Sequence, residues 1–286
     1  MNSNFFDCGR YRFRLRHGES GRRARPLVMG ILNVTPDSFS DGGQHQTLEH
    51  AISHAEAMIE QGVDIIDIGG ESSRPGSDPV SLQEELDRVI PLICALRDCG
   101  RAISVDTYKP EVMREAILAG ADMINDIRGF SSLAARQAVC DSDVGLCTMH
   151  MQNEPSTMQK APSYENVTGE VASFLANSCK QLLELGVEPS RICIDPGFGF
   201  GKSLEHNLAL IRHLRQFGED LAFPVLVGVS RKSMIGAITE KTVEHRLAGS
   251  LAAALACVNE GAQIIRVHDV AETLDAVKVW DAIYRD

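Results

Sequence analysis

Short apolar runs that stop at polar residues recur along this chain. The first covers residues 27–32, and Asn33 and a loop rich in Gly, Pro, Asp and Ser follow it as far as Gly43. An apolar run without alternation is typical of a strand that is buried on both faces. The polar loop after it is either a solvated turn or the wall of a polar ligand site, and one such loop alone favours the turn.

The same pattern returns through the rest of the chain. Further apolar runs cover residues 63–68, 102–105, 123–124, 144–149, 192–194, 225–229 and 264–265, and polar or glycine-rich residues follow them. Between the runs, apolar residues recur at helical spacing, for example Ala51, Ala55, Met58 and Ile59. About eight strand-plus-helix units predict a single (β/α)8 barrel, or TIM barrel, of the α/β class. A doubly wound open sheet is the alternative.

The barrel prediction places the polar strand ends on one face. In a parallel barrel the carboxyl ends of all strands meet, so residues as distant in sequence as Asn33 and His268 are expected to share one site. An open sheet would gather only the residues beside its switch point. The chain of 286 residues has no linker or change in composition, and one barrel domain is therefore predicted over residues 27–286.

Residues 1–26 are rich in arginine, which is also a property of transit peptides. Tyr11, Phe13 and Leu15 alternate with the arginines, however, and alternation is the period of a strand with one apolar face. This segment is therefore predicted to form an N-terminal β-hairpin that closes the bottom of the barrel. Because no secretory apolar region precedes it, we expect a cytoplasmic protein.

Composition narrows the classes of function. The formal net charge of -11 argues against a nucleic-acid partner, which would need a clustered basic surface. No apolar run is long enough to cross a bilayer. The eight cysteines form no Cys-x-x-Cys pair, and several lie within apolar runs, namely Cys94, Cys147, Cys193 and Cys257. Buried free thiols in a reducing compartment are expected, ahead of disulfides or a metal site.

Three polar residues at predicted strand ends suggest recognition of a flat heterocycle. Asp106, Asn125 and Asp195 follow three different apolar runs and are expected to face the barrel mouth. A buried carboxylate is costly unless a ligand or cation satisfies it, and it can accept two parallel N–H bonds from an amino-amide edge. In the alternative interpretation each aspartate caps the following helix, and for Asp106 the two interpretations are equally supported.

Basic residues of the predicted mouth indicate an anionic ligand. Arg231, Lys232 and Arg266 follow the seventh and eighth strands, where barrels often bind phosphate. Arg74 lies in the second loop. Together they make a local positive field within an acidic protein.

The loop from Asp195 to Ser203 is similar to two nucleotide-binding motifs and matches neither. Pro196 stands where a P-loop requires its first glycine, and Lys202 stands where the dinucleotide motif requires its third. What the loop presents is an aromatic side chain, since Phe198 or Phe200 could stack on a ring. At least one of the two phenylalanines is expected to be a core residue.

Several ordered segments resemble dihydropteroate synthases. They are NVTPDSFSDGG at 33–43, GGESSRPG at 69–76, SVDTYKP at 104–110, NDI at 125–127, MHMQ at 149–152, DPGFGFGK at 195–202, GVSRKSMIG at 228–236 and RVHDV at 266–270. The resemblance runs in order from residue 26 to near the C-terminus and implies the same parallel barrel. It also implies a transferase of folate biosynthesis, which condenses (7,8-dihydropterin-6-yl)methyl diphosphate with 4-aminobenzoate to give 7,8-dihydropteroate and diphosphate.

The resemblance assigns roles to individual residues. It implies that the pterin diphosphate contacts Ser73, Asp106, Asn125, Asp195, Lys232, Arg266 and His268. The aminobenzoate would contact Pro75, Phe200 and Ser233. Asn33 would hold Mg²⁺ on the diphosphate. The catalytic residues would be Lys232, Asp106, Asp195 and Arg74. Diphosphate would leave first and the arylamine would attack afterwards, while the loops exclude water.

Two other classes of function are weighed against this one. A corrinoid-linked methyltransferase shares the barrel and the pterin pocket, yet has no use for a diphosphate loop. A non-catalytic pterin-binding paralogue should lack at least one of four residues, and all four are present, namely Asn33, Arg74, Lys232 and Arg266.

Further implications of the resemblance concern partners. It implies small-molecule substrates, sensitivity to sulfonamides and a homodimer. The dimer interface would be the alanine-rich segment from Arg246 to Val258, which could equally pack on the barrel. Ser73 stands where threonine is usual, so the affinity for aminobenzoate stays open. Asn153 stands where glycine is frequent, away from the assigned chemistry.

Overall fold

The N-terminal segment forms two antiparallel pairs of strands. The structure is a computed structural model that describes residues 4–17, 22–34, 44–72, 76–155 and 157–284. Strand β1 (Phe5–Cys8) pairs with β2 (Tyr11–Arg14), and β3 (Arg16–His17) pairs with β4 (Arg22–Arg23). The predicted N-terminal hairpin is therefore confirmed.

A parallel sheet of eight strands follows. The strands are β5 (Leu27–Asn33), β6 (Ile65–Gly69), β7 (Ala102–Asp106), β8 (Met123–Asp126), β9 (Gly145–Met149), β10 (Ile192–Asp195), β11 (Leu226–Val227) and β12 (Ile264–Val267). Their order in the sheet is β10-β9-β8-β7-β6-β5-β12-β11, and a bridge between Ile194 and Val225 joins its two ends. The sheet thus closes into the predicted (β/α)8 barrel, and the open-sheet alternative is wrong.

Helices cover the outside of the barrel. They are α1 (Gln44–Gln61), α2 (Leu82–Leu96), α3 (Pro110–Ala119), α4 (Leu133–Val139), α5 (Val167–Glu184), α6 (Leu204–Arg212), α7 (Leu214–Leu221), α8 (Ser233–Thr239), α9 (Leu247–Asn259) and α10 (Val270–Tyr284). Short 3₁₀ helices cover Pro189–Arg191 and Val243–His245. No helix in the described ranges is long and apolar enough to span a membrane.

Local sequence explains where several helices begin and end. Ser81 and Ser132 precede α2 and α4, and each hydroxyl oxygen accepts a hydrogen bond from a backbone N–H three residues later, at 3.3 and 3.1 Å. Helix α3 ends at Gly120, whose φ of 110° belongs to the left-handed region that favours glycine. Apolar residues at helical spacing turn α2 toward the sheet, as Val89, Ile93 and Leu96 show by their burial.

The inward face of the barrel changes from apolar to polar along the strands. Toward their amino ends the strands contribute to a buried cluster that includes Leu27, Met29, Ile65 and Ile264. Phe6 of the hairpin belongs to the same cluster, so the hairpin closes this end of the barrel. Every second residue of a strand faces inward. The inward positions nearer the carboxyl ends of the strands therefore lie beyond this cluster, at the open end of the barrel. Those positions are polar and form the site described below.

An arginine anchors the hairpin to the barrel. The Nε of Arg10 donates to Oδ1 of Asp122 at 2.8 Å, and its Nη2 donates to Oδ2 of the same carboxylate at 2.8 Å. Asp122 is 1% exposed and also accepts from the N–H of Ile103 at 2.9 Å. This arginine therefore has a structural role, and the basic composition of the N-terminal segment is explained in part by packing.

The cysteines agree with the sequence-based expectation except at one position. All eight cysteines are free thiols, and Cys147, Cys193 and Cys257 are buried as expected. The expectation for Cys94 is wrong, because it lies on the outward side of α2 and is exposed. The polar loop from Thr35 to Gly43 lies outside the described residues.

Candidate active site

Five strand ends bring their polar residues to one inner pocket at the barrel mouth. The pocket is nearly filled by its own side chains, with about 20 Å³ left open. Its lining includes the predicted residues Asp106, Asn125, Asp195, Lys232 and Arg266. Phe198, Phe200, Ile127 and Met149 supply apolar walls. Residues separated by up to 160 positions in sequence thus share one site, as the barrel prediction required.

Arg266 is the centre of a buried ion cluster. Its Nε donates to Oδ2 of Asp67 at 2.6 Å, and its Nη2 donates to Oδ2 of Asp106 at 2.8 Å. Burial acts to lower the pKa of Arg266, but the carboxylates of Asp67 and Asp106 outweigh burial and raise it. The guanidinium therefore stays charged and is fixed in orientation by two strands.

Asp67 is a site residue that sequence reasoning missed. It lies inside the apolar run of β6, two residues before the strand end, whereas the sequence-based prediction covers the residues at the ends of the runs. Its side chain is fully buried, and burying a carboxylate costs free energy unless it is paired. The signal was available in the sequence, because an aspartate within Ile-Ile-Asp-Ile cannot be explained by packing.

Asp106 does not cap the following helix. Helix α3 begins after Lys109, which makes no side-chain cap, and the Asp106 carboxylate binds Arg266 instead. Burial raises the pKa of Asp106, while the charge of Arg266 acts in the opposite direction. The capping interpretation is therefore wrong for this residue.

Several buried polar atoms on the inward face of the barrel have no hydrogen-bond partner within the described part of the chain. They are Oδ1 of Asp67, Oγ of Ser104 and Oδ1 of Asn125. Buried polar atoms are normally paired, since an unpaired one loses its bond to water without replacement. Of the three, only Asn125 lines the inner pocket, so its Oδ1 is the atom that a ligand's N–H or O–H group could reach.

Asp195 and Lys232 line the same pocket. Oδ1 of Asp195 accepts from the N–H of Gly197 at 2.7 Å, and burial raises the pKa of the carboxyl. Burial, reinforced by repulsion from Arg266, lowers the pKa of Lys232. The Lys232 ammonium lies 4.2 Å from the centre of the Phe200 ring, a cation–π distance.

The two phenylalanines of the glycine-rich loop have different environments. Phe198 is 1% exposed and belongs to the main core, so the expectation that at least one is a core residue is confirmed. Phe200 packs with Met149 and Met158 and lines both the inner pocket and the cleft outside it. Of the two phenylalanines, Phe200 is the one that can contact a ligand in that cleft.

An outer cleft of about 610 Å³ continues the site toward solvent. Its lining contains the predicted residues Asn33, Phe200, Lys232, Ser233, Arg266 and His268. His268 shares a hydrogen bond with Ser230 through Nδ1 and Oγ at 3.1 Å. The cleft therefore offers cations and hydroxyls around a space that is large enough for a small ligand.

Arg231 lines the outer cleft, as its position suggested, and it also forms an ion pair there. Its Nε donates to Oδ2 of Asp269 at 3.0 Å, so a carboxylate neutralises the guanidinium. Arg231 also has a left-handed backbone with a φ of 56°. Nη1 of Arg246 binds the carbonyl of Arg231 at 3.1 Å, and Ser250 accepts from its N–H at 2.9 Å. These bonds hold the strained turn that orients Lys232.

Asn33 is the predicted metal residue, and it stands at the end of β5. Within the described ranges, no group of three or more His, Cys, Asp or Glu side chains could hold a metal ion. A Cβ on Gly69 would lie 3.2 Å from Oδ1 of Asn33, so the glycine leaves room beside that oxygen. A single amide oxygen suits a magnesium ion that keeps its waters and is carried on substrate phosphates.

Three predicted residues lie outside the described part of the chain. They are Ser73, Arg74 and Pro75, all in the connection between β6 and α2. Their predicted contacts with the two substrates therefore stay predictions.

Comparisons with known proteins agree with this geometry. A sequence model of the family described as pterin binding enzyme matches residues 29–268. A dihydropteroate synthase of Haemophilus influenzae is 50% identical over 260 residues, which cover 90% of this chain and 94% of that protein. Among solved structures, a Burkholderia cenocepacia dihydropteroate synthase complexed with 7,8-dihydropteroate superposes with a TM-score of 0.86 at 49% identity, covering 98% of this chain and 96% of that one. A Xanthomonas albilineans dihydropteroate synthase with 4-aminobenzoic acid gives a TM-score of 0.89 at 47% identity, covering 98% of both chains.

Proposed function

The chain belongs to the dihydropteroate synthases among the pterin-binding enzymes, and from this premise we propose how its own residues perform the condensation. The inner pocket binds the dihydropterin ring, and the outer cleft binds its diphosphate and then 4-aminobenzoate. The observation that carries this assignment is the joint lining of the inner pocket by Asp106, Asn125, Asp195, Lys232 and Arg266. Five strand ends thus supply hydrogen-bond acceptors and cations to one small space.

The acceptors of the inner pocket suit the amino-amide edge of a pterin. Asp195 and Asn125 present oxygen atoms from neighbouring parts of the barrel, and Oδ1 of Asn125 has no partner in the described chain. N–H groups of a bound ring would replace the water that burial removed from these oxygens. The ring would thereby be held by two or more bonds with a fixed orientation.

The same pocket favours loss of diphosphate. When diphosphate leaves, the methylene carbon becomes electron-poor and the dihydropterin ring shares its positive charge. The buried carboxylates of Asp67, Asp106 and Asp195 stabilise that charge in a site of low dielectric. Lys232, Arg266 and His268 lie along the passage to the outer cleft, where the leaving diphosphate gains negative charge. Arg74 is proposed to join them from the second loop.

Magnesium is proposed to accompany the diphosphate. Asn33 would bind the ion through its amide oxygen, and waters and phosphate oxygens would complete the coordination. A bound ion supplies neutralisation of diphosphate charge as it leaves. The room beside Asn33 and its place in the outer cleft support this assignment.

The aminobenzoate is proposed to lie between Phe200 and the loop that carries Lys232 and Ser233. Both sides of this space line the outer cleft. An aromatic amine is neutral near pH 7, so its nitrogen needs placement more than deprotonation. Pro75 and Ser73 are proposed to cover it from the second loop. Water is then excluded until the amine is in line with the methylene carbon.

Incubation of the purified protein with both substrates and Mg²⁺ tests this proposal. Diphosphate release and dihydropteroate should appear together, and both should fall when Mg²⁺ is removed by chelation. Ionisation-first chemistry predicts slow diphosphate release without the amine. Pterin binding with no diphosphate release under any condition would contradict the proposal and favour a binding paralogue.

Location and assembly complete the proposal. Eight free thiols are expected of a reducing compartment, which supports a cytoplasmic enzyme.

Helix α9 buries Ser250, Ala254 and Cys257 against the barrel. Its opposite side exposes an alanine stripe at a spacing of four residues, formed by Ala248, Ala252 and Ala256. We propose that this stripe contacts a second copy of the chain, which would give a homodimer.

A further inference from the structure

A lysine beside the site is buried although the proposed chemistry does not use it. Lys202 ends the glycine-rich loop after β10, at the place where the sequence is similar to a P-loop. A P-loop lysine would extend toward phosphate. Lys202 instead turns into the protein, and only 3% of it is exposed.

Among the described residues the ammonium of Lys202 has three hydrogen-bond partners, none of them charged, and the nearby carboxylate of Asp195 acts on it without such a bond. Its Nζ lies 2.9 Å from Nδ1 of His150, 3.0 Å from the carbonyl oxygen of Phe200 and 3.3 Å from the carbonyl oxygen of His150. An ammonium has three N–H donors and no acceptor, so these bonds use its full capacity. They also require His150 to be neutral and to carry its proton on Nε2.

The electrostatics of this pair agree with that geometry. Burial, together with the charge of Lys202, lowers the pKa of His150 to about 3. Burial lowers the pKa of Lys202 to about 7. A buried ammonium whose direct partners are all neutral costs free energy. An apolar side chain would avoid that cost if the loop needed only to be filled.

These bonds hold a loop that has little freedom to shift. A Cβ on Gly197 would come within 1.9 Å of the His150 carbonyl oxygen, so the loop lies directly on His150. The N–H of Gly199 donates to Asn207 at 2.8 Å. A Cβ on Gly199 would lie 3.2 Å from Cδ of Lys232, so the other side of the loop supports the lysine stem.

We propose that Lys202 and His150 are positioning residues for the second substrate. Lys202 binds the backbone of Phe200, and the Phe200 ring lies beneath the Lys232 ammonium. Displacement of the Phe200 backbone therefore changes the wall of the aminobenzoate space and the support of Lys232. Of the pterin acceptors, Asp106 and Asn125 stand on other strands and are left in place, whereas Asp195 contacts the loop through the N–H of Gly197. This inference rests on the proposed function, because it assigns Phe200 to the aminobenzoate.

Steady-state kinetics with each substrate varied in turn test the inference. Lys202→Met removes the ammonium with its three donors and keeps an unbranched apolar stem of the same length up to Cε. The KM for aminobenzoate should rise about tenfold, as expected for loss of bonds from a charged donor. The KM for the pterin diphosphate should rise less, by about threefold at most, because the acceptors on Asp106 and Asn125 are untouched and only Asp195 adjoins the loop. Lys160→Met, an exposed lysine in the same region, is the matched control and should leave both constants unchanged.

A second pair of variants covers the case in which Lys202→Met lowers the melting temperature too far for assay. His150→Asn keeps an acceptor near the place of Nδ1, and His150→Leu removes it. The asparagine variant should retain the aminobenzoate KM and the leucine variant should raise it about tenfold. Equal effects of the two, or equal rises in the KM of both substrates, would overturn the inference. If the wild type is active and Lys202→Met leaves the KM for aminobenzoate unchanged, this inference alone is overturned. If the wild type is inactive, the proposed function is overturned with it.

Discussion

Lys232 joins the two halves of the site, since it lines both the inner pocket and the outer cleft. Its stem lies against Gly199 and its ammonium lies over Phe200. The charge is thus held in place, and no water has to reorganise if it stabilises the diphosphate that we propose leaves beside it. A flexible surface lysine would lack this advantage.

Lys232→Ala should lower turnover by about a hundredfold, because it removes a preorganised charge from a dry site. Initial rates of dihydropteroate formation measure the effect. Lys160→Ala, an exposed lysine in the same region, provides the control and should keep the normal rate. A turnover within about threefold of normal would remove Lys232 from the catalytic residues.

Asp195 allows a separate test of pterin recognition. Asp195→Asn keeps the size of the side chain and an acceptor for the Gly197 N–H, but replaces one acceptor of the pocket by a donor. The dissociation constant of the pterin should rise by about tenfold or more, with the melting temperature nearly unchanged. Calorimetric titration measures the first quantity. An unchanged dissociation constant would count against recognition of the amino-amide edge by this carboxylate.

At the level of elements, strand ends and short loops determine how rigid the mouth is. The loop after β8 illustrates this, because Asp126 accepts from the N–H groups of Arg128 and Phe130, both at 2.8 Å. Phe130 has a left-handed φ of 52°, and the two bonds keep the backbone in that conformation. The sequence indicated a polar residue at this strand end, but its partners depend on the path of the loop.

Burial raises the pKa of Asp126 from 3.8 to about 6, against the effect of its two backbone hydrogen bonds. A folded-state pKa above the unfolded value means that this group stabilises the fold fully below about pH 4, and that the stabilisation is lost as pH rises through about 6. The stability of the wild type relative to Asp126→Asn, which cannot titrate, should therefore fall across this window by on the order of 1 to 3 kcal/mol.

Chemical denaturation at several pH values measures that difference. Asp141→Asn, the same substitution at an exposed aspartate just beyond α4, is the matched control. The free energy of unfolding of the wild type relative to Asp126→Asn could instead stay constant or grow toward neutral pH. Either result would show that burial does not disfavour the ionised carboxylate of Asp126.

For the whole molecule, the proposed dimer contact lies on the outward side of α9. Small side chains at Ala248, Ala252 and Ala256 let another surface approach the helix closely, while its other side already packs on the barrel. The sequence-based alternatives of dimer contact and barrel contact are thus compatible, because they use opposite sides of the same helix.

Ala252→Glu should shift the proposed dimer toward monomer, because it places a charge in a close apolar contact. Sedimentation velocity of the wild type and the variant measures the change in mass. Lys180→Glu on α5, exposed on another part of the barrel, is a control for added negative charge. A wild type that sediments as a monomer at all concentrations would exclude the dimer.

Much of the fold was predictable because its signals are local. Apolar runs, helical spacing and the alternation of Tyr11, Phe13 and Leu15 each depend on a few neighbouring residues. Strand ends such as Asp106 and Asp195 were found in the same way. Asp67 was missed because its partner lies 199 residues away, and its position inside β6 was taken as part of an apolar run.

The sequence by itself determined the barrel, the face that carries the site and most of the residues on it, because a parallel barrel must bring its strand ends together. Tertiary structure alone decided how charges are paired. Arg266 binds Asp67 and Asp106, Arg231 is neutralised by Asp269, and Lys202 turns inward to His150. Partners of this kind are chosen by distance in space after the barrel closes, and residue type and spacing along the chain do not encode them.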